Sequence, residues 1–436
     1  MKLQRRQFLG MSLWGAGGLG LRALATGLPA GFLAGRGREA LAQAQTRPTA
    51  LILCISRAGD PINVGAPGSV VAGVDPTPGE ALLPTQVVLG DTRVMAARPW
   101  STLDADSRDR LAFFHHQNGT AAHTELESLL RLHGGMKGKN GNGAEMLPSA
   151  FASEAHGARG TLQEEPLALG NERLTFEDRP LDNISPSELK SLFSGARSEM
   201  DNLRTLRNQA LDQIYAQVKS GGSAAQKRYL DRFALGQQQA AALGVQLGAL
   251  LERLPTSADD VDGALDQLIT AVAVVALQIT SVVAVQVPFG GDNHDDQDLA
   301  REAEETQSGV AALGLLWSEL KAANLQDQVT YANLNTFGRT LSANGGRGRD
   351  HNGQHHVTVM FGPKVKPGVI GALVPGARDF AASPLDTAGR GRPDGPISGT
   401  DTLLAVAKTL GAAMGLSEER LNARIPSGQV ITGALT

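Results

Sequence analysis

Three short apolar runs constrain the fold of this chain most: residues 49–55, 282–287 and 329–334, each emptying into a polar loop. Runs of this length, apolar at nearly every position, read as strands buried on both faces. Residues 111–116 and 356–361 read as further strands, and 369–374 as a short edge strand. Between them the apolar spacing changes to three and four residues, which predicts helices over about 259–279, 297–324 and 402–414, with another beginning at 416–421. Strands that alternate with helices imply an α/β protein with a mostly parallel sheet, here a three-layer α/β/α arrangement. Such a sheet gathers its functional loops at the carboxyl ends of the strands.

The intervening segments carry weaker signals. Residues 65–100 are rich in Gly and Pro and read as mostly irregular, and residues 135–182 as a long loop or insertion. Leucines at helical spacing over 185–254, interrupted at Gly221-Gly222-Ser223, predict a helical insertion of two helices.

The N-terminus has the form of an export signal. Arg5 and Arg6 open a twin-arginine motif, a weakly hydrophobic Gly/Ala/Leu segment follows, and Ala42-Gln43-Ala44 is a small-x-small cleavage site. The expected division is therefore a signal over 1–44 and one domain over 45–436. The twin-arginine translocon is then a transient partner, and the periplasm or the exterior is the destination. Gly, Pro29 and Arg22 interrupt the apolar segment, so no stable membrane span is expected. Forty Lys and Arg against 44 Asp and Glu leave a net charge of −4 with no long basic tract, which argues against nucleic-acid binding. The single cysteine, Cys54, lies in an apolar run and reads as a buried core thiol.

The chemistry-bearing residues follow the strands. Asp292 and His294 come after the second run, and Asp350 and His351 after the third, in a loop with Gly345, Gly346 and Gly348 that lets the backbone turn sharply. Asp60 and Asn63 follow the first run, where they either face the same site or form Asx turns. Four of the nine histidines, His115, His116, His123 and His133, fall within 19 residues. At most one of these four joins the site, since His123 and His133 would lie ~15 Å apart along one helix. Thr124 and Glu127 have the spacing of a capping box, which puts Thr124 at a helix start, as an N-cap or as a reacting hydroxyl. Arg339, Arg347 and Arg349 could grip an anion through paired hydrogen bonds. His355 and His356 are weaker candidates, and His356 begins a strand.

The motifs Gly290-Gly291-Asp292-Asn293-His294 and Phe337-Gly338-Arg339-Thr340 leading to Gly348-Arg349-Asp350-His351 resemble those of the bacterial domain-of-unknown-function family 1501. That family is similar to the alkaline phosphatase and sulfatase superfamily. The resemblance implies an α/β/α sandwich that holds one or two divalent metals on strand-end Asp and His residues. Asp292, His294, Asp350 and His351 are then metal ligands, joined by Asp60. Thr124 stands where the nucleophile belongs, with Arg339 beside it. Asn63, His123, Arg347 and Arg349 would contact substrate, and Asn63 stands where the family tends to carry Asp. Asp with His suits Zn²⁺ or Mn²⁺, and Asp also suits Mg²⁺ or Ca²⁺. The expected activity is hydrolysis of a phosphate or sulfate ester. The alternative is a non-catalytic envelope protein of the same fold that binds a glycan or a protein.

Overall fold

The structure, a computed structural model, describes residues 47–139, 141, 143–193, 221, 262–343 and 347–436. The export signal and most of the helical insertion expected over 185–254 lie outside the described residues, apart from a helix at Pro186–Phe193. Among the described residues no helix is long and apolar enough to cross a membrane.

A seven-stranded sheet forms the centre. Its strands are β1 (Ala50–Ser56), β2 (Leu111–His116), β3 (Leu167–Ala168), β4 (Val282–Val285), β5 (Val329–Asn335), β6 (His356–Phe361) and β7 (Gly368–Ile370). The order across the sheet is β7-β2-β6-β5-β1-β4-β3. Pairing is parallel everywhere except at β6, which runs against both of its neighbours. The mixed α/β class with a mostly parallel sheet is therefore as the apolar runs imply.

Both faces of the sheet are buried, which is why the strands read as continuous apolar runs. Ala50, Ile52 and Cys54 of β1 join one core with Phe113, Val283 and Tyr331, under helices α3 (Ala264–Ala276) and α4 (Ala300–Ala322). Leu51, Leu53 and Ile55 point the other way, into a second core with Phe151 and Leu410. The helices there are α2 (Leu147–Arg159) and α5 (Thr402–Met414). The two-residue alternation of a strand thus sorts one run into two cores. Cys54 is buried as expected, and burial pushes its thiol up to about 12, so it is no nucleophile at neutral pH.

Two segments are more ordered than their composition predicts. Residues 84–97 form a hairpin of Pro84–Leu89 and Thr92–Ala97. Residues 135–182, expected as a loop, contain α2 and the edge strand β3. Pro148 sits in the first turn of α2, where its missing N–H is no loss, and left-handed Gly160 stops the helix.

The parallel strands place the carboxyl ends of β1, β2, β4 and β5 at one edge. Cys54 is level with both Val285 and Asn333, so the loops after residues 56, 285 and 335 leave the sheet at similar height. The loop after His116 joins them. Gly348 fixes the relation between two of these loops. Its φ is +81°, and an added Cβ would lie 2.0 Å from the carbonyl oxygen of Asn293. Only a residue without a side chain fits there.

Candidate metal centre

Three segments deliver side chains to one point above this edge. His123, Asp292 and His351 each offer a ligand atom, and these atoms lie within 4.8 Å of one another. They come from the loops after β2, β4 and β5, far apart in the chain and adjacent in space.

Each imidazole is held through its Nδ1. His123 Nδ1 donates to the carbonyl of Arg57 at 2.7 Å, and His351 Nδ1 donates to the carbonyl of Ala121 at 2.7 Å. A carbonyl can only accept, so Nε2 of each ring is left to face the site. Backbone tethering of this kind fixes tautomer and ring orientation in metal-binding histidines. Burial lowers the His351 pKa, which favours the neutral ring a metal requires.

Asp292 is the anionic member. Its Oδ1 accepts from His294 Nδ1 at 2.6 Å and from Arg339 Nη2 at 2.6 Å. Partial burial pushes the carboxyl up, but the hydrogen bonds from His294 and Arg339 and the charge of Arg339 outweigh this and hold it at about 2. Its Oδ2 stands 3.2 Å from His123 Nε2. Because Nδ1 of that ring already donates to Arg57, a carboxylate oxygen and a ring lone pair confront each other at hydrogen-bond distance. They require a positive charge between them, either a proton on the ring or a bound cation.

The donor set fits a transition metal. Two imidazoles and one carboxylate suit Zn²⁺ or Mn²⁺, whereas Mg²⁺ and Ca²⁺ prefer oxygen-only shells.

The other expected site residues fall elsewhere. His294, expected as a ligand, orients Asp292 instead. Its ring centre lies 6.0 Å from that of His351, and it is not one of the three converging groups. Asp350 is exposed and also outside the three. Thr340 and Asp350 are hydrogen-bonded through their backbones, and His351 begins a short strand opposite Arg339.

Asp60 is buried rather than a ligand of this group. Its Oδ1 accepts from Ser56 Oγ at 3.3 Å, and burial, aided by the nearby Glu305 charge, raises its pKa to about 7. Asn63 is likewise fully buried, its Nδ2 donating to the Arg339 carbonyl at 2.7 Å and its Oδ1 accepting from the Arg339 N–H at 2.9 Å. It therefore shapes the backbone under Arg339 and does not face substrate.

Of the three arginines, only Arg347 is exposed. Arg339 is fully buried, bonded to the carbonyls of Gly59 and Ala58 at 2.6 Å each, so it steers Asp292 and cannot reach an anion in the site. Arg349 is also buried, paired with Glu302 at 2.9 Å, and donates to the carbonyls of Leu341 and Asp75. Gly345 and Gly346 lie outside the described residues.

Thr124 is exposed in a 3₁₀ turn, His123–Glu125, and does not cap the short helix α1 (Leu126–Leu130). The capping box is not formed because the helix starts two residues later. The chain then turns through left-handed Leu132 and His133, so His123 and His133 share no helix. Spacing does not separate His123 as a ligand from Thr124 beside it; only the tether to Arg57 does.

Phe337 belongs to the site although sequence reasoning gave it no role. Its ring stacks on His351, with centres 4.2 Å apart and planes at 23°, and meets the ring of His123 at 4.9 Å and 68°.

His115, His116, His355 and His356 form a separate buried group between β2 and β6. His115 Nδ1 and His355 Nε2 are 3.0 Å apart, and the rings of His116 and His356 meet edge to face at 5.2 Å. These four are core, not ligands.

Asp60 gives a sharp expectation. Its carboxyl is pulled above the unfolded value of about 3.9, so its stabilising effect is complete below that pH and is lost as pH rises through about 7. Asp60→Asn is therefore expected to gain on the wild type as pH rises from 5 to 8, on the order of 2 kcal/mol. Urea unfolding at both pH values measures this.

A solved structure, that of Ps i-CgsB in complex with k-i-k-neocarrahexaose, is similar at 13% identity over 88% of this chain and 75% of that one, with a TM-score of 0.37. No curated protein matches the chain. The family model described as "Protein of unknown function (DUF1501)" matches residues 117–388, a span that holds all three converging side chains. The chain belongs to that family.

Proposed function

We propose that this protein is an exported, metal-dependent hydrolase of phosphate or sulfate esters, built as an α/β/α sandwich of the alkaline phosphatase kind. The supporting observation is the confrontation of His123 Nε2 with Asp292 Oδ2, beside a His351 ring tethered through its Nδ1 to a carbonyl. A metal held by these three supplies Lewis acidity and lowers the pKa of bound water. The chain's own contribution is orientation. Arg57 and Ala121 fix the two imidazoles through their carbonyls, and Arg339 with His294 keeps Asp292 ionised. Arg347, exposed near the end of the 348–351 arm, is the arginine free to meet an anionic substrate. Thr124 and water are the available nucleophiles at the rim. Export by the twin-arginine route places this activity in the periplasm or outside the cell.

The test is metal analysis of the mature protein, followed by turnover of p-nitrophenyl phosphate and p-nitrophenyl sulfate with and without Zn²⁺ or Mn²⁺. The expected result is one metal per chain and metal-stimulated cleavage of one ester. Asp292→Asn should lower metal affinity at least tenfold, as loss of a charged ligand does. A protein that binds no metal and cleaves neither ester rules the proposal out. The second reading, a non-catalytic envelope protein that binds a glycan or protein, is favoured by one observation: among the described residues the converging group is His123, Asp292 and His351, without Asp60 or Asp350.

A further inference from the structure

Resting on the metal-centre reading, we infer that Phe337 is the positioning residue of the triad: a rigid aromatic plate that aims both imidazoles at one point. Two rings that must present Nε2 to a common cation need more than one hydrogen bond each, because a ring tethered only at Nδ1 can still swing about that bond. Phe337 supplies the second restraint. His351 lies nearly flat on it, His123 stands edge-on to it, and the two histidine rings meet each other at 4.7 Å and 88°.

The plate is itself immobilised. Phe337 is fully buried. Gly59, in left-handed conformation at φ +66°, lies so close that an added Cβ would be 2.0 Å from Phe337 Cε2. The guanidinium of Arg339 sits 5.1 Å from the ring centre, an attraction between cation and ring face. Arg339 in turn donates to the carbonyl of Gly59 and to Asp292. One buried unit of Gly59, Phe337 and Arg339 therefore sets the direction of all three ligands. Because Phe337 is buried beneath the imidazoles, it touches no substrate and acts only through them.

Titration of the metal-free full chain with Co²⁺, followed by its visible absorption, reads this directly. Phe337→Met keeps volume but loses the flat surface. It is expected to weaken Co²⁺ binding 10- to 100-fold, the range seen when groups that orient ligands are removed. Leu341→Met, at a fully buried position outside this unit, is expected to bind as the wild type does. Gly59→Ala, which pushes the plate from behind without altering a ligand, should also weaken binding, and it decides the matter if Phe337→Met does not fold. Wild-type affinity in folded Phe337→Met or Gly59→Ala overturns the positioning role alone. A wild-type protein that binds no Co²⁺ removes the metal centre and this role together.

Discussion

Arg349→Met is expected to lower the unfolding free energy by about 3–5 kcal/mol, the effect of stranding one charge of a buried pair. Both side chains of the Arg349–Glu302 pair are essentially inaccessible, at 0% and 1% exposure. Glu302 also accepts hydrogen bonds from Thr77 and Asn293, while Arg349 donates to the carbonyl of Asp75 at 2.8 Å. The pair therefore ties the 75–77 segment, the 293 loop and the 349 arm into one joint. Loss of Arg349 leaves Glu302 buried with no cation against it. The double variant Arg349→Met/Glu302→Leu should recover part of the loss, because the stranded charge is gone while the carbonyls and Asn293 still lack partners. Urea denaturation of the two variants measures both effects. A double variant no more stable than Arg349→Met would mean that the charge is not what destabilises the single variant. A reading that placed Arg349 on substrate predicts the opposite profile, with lost binding and little lost stability.

A steep loss of stability on mild acidification is the second large effect. Burial pushes His115 down to about 4 and His116 down to about 3, and it lowers His355 and His356 well below the ordinary value. In the unfolded chain each returns to about 6.5 and takes up a proton that the native core refuses. The sign follows from that imbalance: the unfolded state binds more protons, so stability is full above about pH 6.5 and falls as pH drops below it. Each histidine contributes about 1.4 kcal/mol per pH unit once the unfolded form is protonated. His115 alone is worth on the order of 3 kcal/mol between pH 6.5 and its folded value. Asp60 opposes this trend, since acid relieves its buried charge. Unfolding free energies between pH 7 and 5 should show a net uptake of at least two protons on unfolding. His116→Gln is expected to reduce that uptake by one, and an unchanged slope would refute the assignment.

The sheet was legible because its strands are buried on both faces, so β1, β4 and β5 needed no alternation to be recognised. Helix α2 was not, because its alanines, glycines and Pro148 carry little periodic contrast. Its amphipathic face exists only against the β1 residues that it covers. At the site, residue types were readable and orientations were not. Asp350 and His351 are adjacent in sequence, yet only His351 belongs to the three converging groups. Arg339 and Arg349 look like surface cations until the fold buries them, and nothing local reports that Asp292 lies 47 positions from one partner and Glu302 47 from the other. Phe337 was visible as a letter, but its flatness against two imidazoles arises only when the loops after β2 and β5 meet.

The seat of Gly348 on the Asn293 carbonyl makes the 348–351 arm a fixed measure of length. Three residues carry the chain from that seat to His351, and Asn293 itself adjoins Asp292 and donates to Glu302. An insertion within either arm slides the imidazole past the carboxylate, whereas the hairpin turn at Gly90-Asp91 can absorb extra residues with no such penalty. The tolerated variation in chain length is thus partitioned by the geometry of a single glycine: free at the hairpin, forbidden at the arms that carry the donors.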